Sequence, residues 1–593
     1  MPSITINGKR CDFTPGQMIL QVANAHGIAV PQYCYHDGLS IVASCRICLA
    51  EVWAPNPRAG GKLEPYMGGK LLPTCQTAAA DGMVVYADSP KAVQNQKAVM
   101  EYLLINHPLD CPVCDQAGEC FLQDYSYEYG RGVSRFEEDK VKNPKKDLGP
   151  TIVLYSDRCI MCSRCVRFTR EVTGTSELMI LGRGNKNEID VFPGKPLDNP
   201  LSGNVADLCP VGALLDKDFL FAQRVWFLKE TPSIDGITAS GDNIWVHHNE
   251  GKVYRVKPRT NPAVNKWWIT DEVRYGWKFV HSEDRLRSPM RRQFNTLVEC
   301  DFNRAYGAIA DGFKAAKRLA ALVSPMLSCE EAFLLATLAR AIDPKATLAV
   351  GPIPVRGQDQ VFPPGAKPTD ANAFVVAAEK CPNARGVRRV LESFGTKALA
   401  FDEFVRELGK GAFGGVILTG NYPSEWATDE LMAALEKPRG TGHKAQGTGL
   451  FVTLIDTLSS RLTDAADVVL PGATWVEKSG TFQNARGMLQ AFEQAIPVIE
   501  MAKTEGQIAL DLISVVAGSP APAPAPQRIL TPAAPGRLPD GMEVTAPRGE
   551  LFDAPAIRRR MAAASPALAA FTTDVTLPPA EAPREADMAM VEL

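Results

Sequence analysis

Eleven of the 15 cysteines, together with one histidine, form three sets of four before residue 210. Cys34, Cys45, Cys48 and Cys75 make the first set; His107, Cys111, Cys114 and Cys120 the second; Cys159, Cys162, Cys165 and Cys209 the third. Thiolates and neutral imidazoles are ligands for borderline and soft metals, and four of them complete one centre. The long remainder of the chain carries no comparable set. The expected chemistry is therefore conduction of electrons.

Ten residues separate Cys34 from Cys45, two separate Cys45 from Cys48, and Cys75 closes the set from a distance. Plant-type 2Fe-2S ferredoxins place four in the first gap but share the adjacent pair, the remote closing cysteine and a β-rich setting. A longer loop can still bring its thiolates to the outer positions of a two-iron cluster. A four-cysteine zinc site is the alternative, although its ligands more often come as two CxxC pairs. In the second set three residues separate His107 from Cys111, two separate Cys111 from Cys114, and five separate Cys114 from Cys120. Such proximity suits one compact centre, and an imidazole leaves a cluster one negative charge lighter than four thiolates do. On spacing alone an incomplete zinc site, with His107 as an ordinary helix-end residue, stays open beside a 4Fe-4S cluster. Cys159-Ile160-Met161-Cys162-Ser163-Arg164-Cys165 with the later Cys209-Pro210 is the most specific set. Bacterial ferredoxins hold a 4Fe-4S cluster with this pair of CxxC steps and a separate Cys-Pro. Arg158, Arg164, Arg167 and Arg170 could offset the cluster's charge or could equally form a solvated face.

Cys11, Cys300, Cys329 and Cys381 lack neighbours in ligand spacing and are expected to be small apolar residues. Gly409-Lys410-Gly411-Ala412-Phe413-Gly414 fits GxGxxG but precedes a strand pattern, whereas a dinucleotide site needs a strand before it and a helix after. It is expected to be a loop, and His247-His248 to be structural.

These residues need elements to position them. Asn7-Gly8 predicts a hairpin between Ser3 to Ile6 and Lys9 to Phe13. Thr14-Pro15 predicts a helix start with Gly27 past its end, and Ser89-Pro90 opens a second helix that Pro108 stops, leaving His107 at the exit. Short alternating stretches from Ile234 to Trp268 predict a small β-rich unit. After Cys300, strand patterns at Leu319 to Val323, Thr347 to Val350, Gly415 to Thr419 and Leu450 to Ile455 alternate with helical ones at Glu330 to Ile342 and Ser424 to Leu435, as in a parallel α/β domain. A stiff Pro-Ala spacer at Ser519 to Pro526 leads into an expected extended, surface-draped tail. A chain of 593 residues needs several such domains. Its net charge of -3 gives no footprint for nucleic acid. No apolar run reaches the roughly 18 residues of a membrane span. The start at Met1-Pro2-Ser3 shows no secretion or transit signal, which sets the expectation of a bacterial, unexported protein.

The stretch His107-Pro108-Leu109-Asp110-Cys111-Pro112-Val113-Cys114-Asp115-Gln116-Ala117-Gly118-Glu119-Cys120, with Asp207-Leu208-Cys209-Pro210-Val211-Gly212-Ala213-Leu214, Tyr33-Cys34-Tyr35-His36 and Ser44-Cys45-Arg46-Ile47-Cys48, closely resembles the large iron-sulfur subunit of respiratory complex I. Leu470-Pro471-Gly472-Ala473-Thr474 and Glu477-Lys478-Ser479-Gly480-Thr481-Phe482-Gln483-Asn484 resemble the molybdopterin-oxidoreductase fold of that subunit's C-terminal half. The resemblance implies a multidomain α/β and α+β chain: a 2Fe-2S ferredoxin-like domain at 1–82, a 4Fe-4S module with one His and three Cys at 83–130, and a 4Fe-4S ferredoxin-like module at 145–225. A small β-rich domain without a cluster at 226–300, an α/β domain without molybdenum at 301–515 and a Pro/Ala-rich tail at 516–593 complete it. It further implies one 2Fe-2S and two 4Fe-4S clusters, no FMN of its own and no catalytic residue. Its role would be to relay electrons from the FMN- and NADH-binding subunit and its 2Fe-2S partner toward downstream iron-sulfur and quinone-site subunits, on the cytoplasmic side of a bacterial inner membrane or the matrix side in mitochondria. Some bacterial members carry a fourth cluster, but Ser233, Gly236, Ser240 and Thr270 stand about where its ligands would fall. The alternative is the iron-sulfur subunit of an NAD-linked formate dehydrogenase or hydrogenase, for which no molybdenum-binding or further cluster-binding Cys set is evident.

Overall fold

Asn7 and Gly8 take φ of 47° and 80° and turn Ser3–Ile6 back onto Lys9–Asp12, the expected hairpin. The computed structural model in which it is seen describes residues 1–316, 318–436, 449–517 and 549–579. These fall into two units, Met1–Leu228 with Val361–Phe374, and Lys229–Gln360 with the rest from Val375 onward.

In the first unit Ser3–Ile6 pairs in parallel with Val84–Tyr86, which pairs in turn with Leu49–Asn56. The first sheet thus closes beyond residue 82. Ile4, Ile6, Ile19, Leu20, Val52 and Val85 fill its core, and Cys11 is buried among them as an apolar side chain. The helix expected from Thr14 begins later and spans Ile19–Ala25. Gly16, at φ 96°, breaks the segment, and Gln17 Oε1 accepts the Thr14 N–H at 2.8 Å, closing a turn instead. Ser89 Oγ caps Pro90–Leu104 by accepting the Ala92 N–H at 3.2 Å, and His107 follows the helix end as expected. Farther on, Lys145–Asp147, Ile152–Tyr155 and Leu214–Asp216 form an antiparallel sheet in which Leu214 lies opposite Leu154. That register brings the Cys159–Cys165 loop and Cys209 to the same end of the sheet.

The second unit opens with antiparallel strands Lys229–Ile234, Asn243–Asn249 and Lys252–Pro258. His248 Nε2 lies 2.9 Å from Thr231 Oγ1 and His247 Nε2 lies 3.6 Å from Glu230, so both are structural. The α/β part is a seven-stranded sheet. Parallel strands Thr347–Val350, Leu319–Val323, Gly415–Thr419, Phe451–Asp456 and Val468–Pro471 lie in that spatial order, and antiparallel Met290–Gln293 and Thr296–Glu299 extend it. Strand order reverses between Leu319–Val323 and Gly415–Thr419. The GxGxxG segment is the loop between helix Phe401–Gly409 and the strand at Gly415, as expected. The helix placed from Ser424 starts at Asp429, because Tyr422 to Thr428 are held in a loop by bonds such as Trp426 Nε1 to Asp456 at 2.8 Å.

Two expectations meet different fates at the C-terminus. The Pro-Ala spacer lies outside the described residues. Part of the expected extended tail is instead folded: Asp553 caps helix Ala554–Ala564, and Ile557, Met561, Leu568 and Phe571 enter the α/β core. Arg558 also pairs with buried Glu330 at 3.1 Å.

The Glu477-Lys478 stretch is wholly engaged in buried ion pairs. Glu477 meets Arg285 at 2.8 Å, and Lys478 Nζ sits 2.9 Å from Glu331 and 2.6 Å from Glu505, all nearly sealed from water. Burial pushes the Glu505 carboxyl up to about 8 against the pull of Lys478, while Glu331 is held below its usual range by Lys478 despite its own burial. Replacing Lys478 by Met leaves the Glu331 carboxylate buried beside Glu505 without its cation, so the second unit is expected to lose about 3–5 kcal/mol. Denaturant titration of the full chain, followed by intrinsic tryptophan fluorescence, measures this. The triple variant Lys478→Met, Glu331→Gln, Glu505→Gln should recover much of the loss, and an unchanged midpoint for Lys478→Met alone would refute the network's role.

Candidate metal centres

The first group sits on the loop leading into Leu49–Asn56 and on the segment after Leu72–Pro73. Cys34, Cys48 and Cys75 are buried and Cys45 is half-buried. The thiols come as two hydrogen-bonded pairs. A hydrogen bond from Cys45 holds the Cys34 thiol down at about 5, against its burial, while the same bond pushes Cys45 up. Cys75 likewise holds Cys48 down at about 6 and is itself pushed up. Peptide N–H groups of Ser44 and Cys45 also bond Cys34. The loop manages this by placing Ala43 and Arg46 in the left-handed region, at φ 51° and 59°.

The four thiols of the third group line one cavity, with Leu154, Ile189, Val211 and Leu214 among its apolar walls. Met161 and Ser163, at φ 52° and 58°, curl the backbone between the cysteines. The N–H of Met161 then reaches Cys159 Sγ at 3.3 Å, and N–H groups of Val211, Ala213 and Leu214 bond Cys209. Burial pushes Cys159 up to about 12 and Cys162 to about 11, with Cys165 and Cys209 also raised. Of the arginines named from sequence, Arg158, Arg164 and Arg167 are buried and belong to this region. Arg170 is the solvated one, paired with Glu171 at 2.9 Å.

The second group follows the helix Pro90–Leu104. Lys140 Nζ donates to the carbonyls of Leu104 and Ile105, both at 2.8 Å, closing that helix end. Burial, then Arg158 and Lys140, push His107 down to about 4, so its imidazole is neutral at physiological pH, the form that binds metal. Arg158 pairs with Asp110 at 2.8 Å and covers the Tyr155 ring at 3.9 Å. Cys120 stands at the N-cap of helix Phe121–Tyr129 without a side-chain cap bond, and the Phe121 N–H goes to the Pro210 carbonyl at 3.1 Å. Cys114 is buried and Cys111 exposed.

Gly212 is a residue whose role sequence reasoning missed. It lies in the Cys209 loop of the third group, yet a Cβ there would stand 2.2 Å from Cys114 Sγ of the second. Only glycine allows that approach. Elsewhere, Gly236 could not accept a cysteine, since its Cβ would come within 2.4 Å of the Trp475 ring. Ser240 Oγ accepts the Ala377 N–H at 3.0 Å, and Thr270 Oγ1 caps Asp271–Tyr275 by accepting the Val273 N–H at 3.2 Å. The region aligned with a fourth cluster is filled by protein. Among the described residues, no three His, Cys, Asp or Glu side chains are placed to hold a single metal ion.

Family models match along the chain in the order of these modules. They are a 2Fe-2S iron-sulfur cluster binding domain at 2–90, the NADH-ubiquinone oxidoreductase-G iron-sulfur binding region at 96–135, the ferredoxin-like domain of NADH-quinone oxidoreductase subunit 3 at 149–215, an NDSU1/NuoG-like 4Fe-4S domain at 228–278, and molybdopterin oxidoreductase at 381–515. The 228–278 match contains no cysteine in this chain. An NADH-quinone oxidoreductase subunit of Rickettsia felis is 37% identical over 341 residues, 57% of this chain and 49% of that protein. The mitochondrial NADH-ubiquinone oxidoreductase 78 kDa subunit of Neurospora crassa is 40% identical over 314 residues, 52% of this chain and 40% of that one. The mitochondrial NADH dehydrogenase [ubiquinone] iron-sulfur protein 1 of Solanum tuberosum is 42% identical over 290 residues, 49% and 37%. The chain therefore spans about half or less of the curated relatives it matches. A chain from an NAD+-reducing [NiFe]-hydrogenase structure is 28% identical with a TM-score of 0.33, covering 38% of this chain and 91% of that one.

Gly212→Ala is expected to push Cys114 out of place and cost the second group most of its metal while the first group keeps its own. Metal analysis with spectroscopy on the full chain checks it, and full metal content in the second group would show that the contact is dispensable.

Proposed function

As a homologue of the large iron-sulfur subunit of NADH-quinone oxidoreductase, this chain, we propose, is an electron relay. It takes electrons from an FMN- and NADH-binding subunit and its 2Fe-2S partner and passes them to downstream iron-sulfur and quinone-site subunits. The observation that carries the reading is that all three four-ligand groups lie in one unit and touch through the third. Its helix bonds the Cys34 carbonyl and its Gly212 packs on Cys114.

The donor sets fit clusters better than single ions. A zinc site needs four ligands about 2.0–2.3 Å from one point. The third group's thiols instead ring a cavity, which suits a 4Fe-4S cluster with one thiolate on each iron. The pairing of Cys34 with Cys45 and of Cys48 with Cys75 suits a 2Fe-2S cluster, two thiolates to an iron. Neutral His107 with Cys111, Cys114 and Cys120 would hold the second 4Fe-4S cluster. When bound, these clusters supply reversible one-electron chemistry. The chain's own side chains position them, exclude water and aim N–H groups and arginine charge at them, which sets their potentials. No residue acts as acid, base or nucleophile.

The α/β half is read as scaffold without molybdenum. Open α/β sheets bind ligands beyond the carboxyl ends of strands where strand order reverses. Here the donors at that point are already engaged: Ser324 N–H bonds Thr419 Oγ1 at 2.8 Å, and the Asp456 carboxyl takes the Asn421 N–H at 2.8 Å and Trp426 Nε1 at 2.8 Å. A built-in carboxylate occupies ground an anionic ligand would need. No helix among the described residues is long and apolar enough to cross a membrane, so attachment through partners in the peripheral arm, on the cytoplasmic or matrix face, completes the reading.

The loaded chain should contain roughly ten irons, two in the first group and four in each of the others, with no molybdenum or tungsten. Cys11, Cys300, Cys329 and Cys381 should each be replaceable without loss of iron. His107→Cys should keep the second cluster but lower its potential, since it adds a negative charge. His107→Ala should leave a labile or three-iron centre while the first and third keep their spectra. An unaltered second-cluster spectrum in His107→Ala would show that the fourth ligand lies elsewhere, and stoichiometric molybdenum would favour the formate dehydrogenase reading.

A further inference from the structure

The helix Arg164–Glu171 begins within the third group and presents residues 164, 167 and 171 on one face, where they grip the first group's loop. Arg167 Nη2 donates to the carbonyl of Cys34 at 2.5 Å and to that of Cys162 at 3.4 Å. One nitrogen thus ties a ligand residue of the first centre to a ligand residue of the third. Arg167 Nη1 donates to the Ser40 carbonyl, and Glu171 accepts from the Ser40 N–H at 2.8 Å and its hydroxyl at 2.6 Å. One turn earlier, Arg164 Nη2 donates to the carbonyl of Tyr35 at 2.6 Å and its Nη1 to that of Leu208 at 3.3 Å, the neighbours of Cys34 and Cys209.

Arg164 and Arg167 are only 6% and 3% exposed. A guanidinium keeps its proton at any physiological pH, so two permanent charges are fixed between the centres, in a place where solvent screens them little. Glu171 is a carboxylate at the far end of the same face.

The geometry points to Arg167, with Arg164, as the positioning residues of the electron step between the first and third centres. Their forks hold the Cys34–Ser40 loop against the third group's helix and so fix the gap an electron must cross. Their charges favour the reduced, more negative state of both clusters. This rests on the iron-sulfur reading above.

The full chain carrying its clusters is titrated redox-potentiometrically by EPR, and hydrogen exchange is followed in loaded and metal-free chain. Arg167→Gln, which keeps a donor but removes the charge, should lower the reduced-to-oxidised ratio of the first and third centres about tenfold at fixed potential, about 59 mV for a one-electron couple. The second centre, served by Arg158, should stay put. Arg167→Lys keeps the charge but cannot span three carbonyls. It should leave the potentials near native while exchange of the amides in residues 34–40 speeds up about tenfold, in the metal-free chain as well. Unshifted first and third potentials in Arg167→Gln together with native exchange in Arg167→Lys overturn the assignment, as does an equal shift of all three centres, which reports general loosening. A native chain that binds no clusters refutes the relay reading instead, and the exchange measurement on the metal-free chain still decides whether the clamp exists.

Discussion

Taking ten thiols and an imidazole wholly or partly out of water is the constraint on which the first unit depends. Burial, with the neighbouring thiols adding to it, pushes Cys120, Cys159 and Cys162 up to about 11 or 12 and raises Cys165 and Cys209, so without metal these groups keep their protons. Cluster binding must expel those protons and leave thiolates in an apolar setting. The surroundings are arranged for that state. Peptide N–H groups face Cys34, Cys159 and Cys209, and the charges of Arg158 and Arg164 oppose the effect of burial on Cys114 and Cys162. Ala43, Arg46, Met161 and Ser163 sit in the left-handed region, at about 1–2 kcal/mol each for a residue with a side chain. That backbone curls the loops so that their N–H groups can face a negatively charged group.

The ligand sets were legible because their spacing is local. A CxxC step, a Cys-Pro or a histidine just past a proline-stopped helix states its geometry within a few residues. Asn7-Gly8 and Ser89-Pro90 were legible for the same reason. What joins the sets was not. Arg167 reaches Cys34 across 133 positions and Arg164 reaches Tyr35 across 129, so sequence left open whether those arginines were cluster neighbours or a solvated face. Gly212 reads as an ordinary glycine until Cys114 is seen against it. The helix Ala554–Ala564 escaped notice because its two large core residues, Ile557 and Met561, are diluted in Ala and Arg. Its stability comes from the α/β core it meets rather than from its own pattern. Thr14 misled in the other direction, since a good cap residue was overruled by Gly16.

In the α/β half, the alternation of strands and helices was readable but the fate of its ligand site was not. A binding site at strand ends needs free donors, and at the strand-order reversal several are engaged: Thr419 and Asp456 accept the Ser324 and Asn421 N–H groups, while a cavity lined by Tyr422, Trp426 and Asp456 lies open beside them. The residues that engage those donors also satisfy buried polar groups and so firm this end of the sheet. Glu477-Lys478 shows this most directly. The stretch that carries the resemblance to molybdopterin oxidoreductases is fully engaged with Arg285, Glu331 and Glu505. A buried Lys held by two carboxylates is costly to assemble and more costly to break, so it persists as long as both partners do. A resemblance in that segment therefore speaks for the fold of this half, since the side chains that carry it are engaged in holding it together.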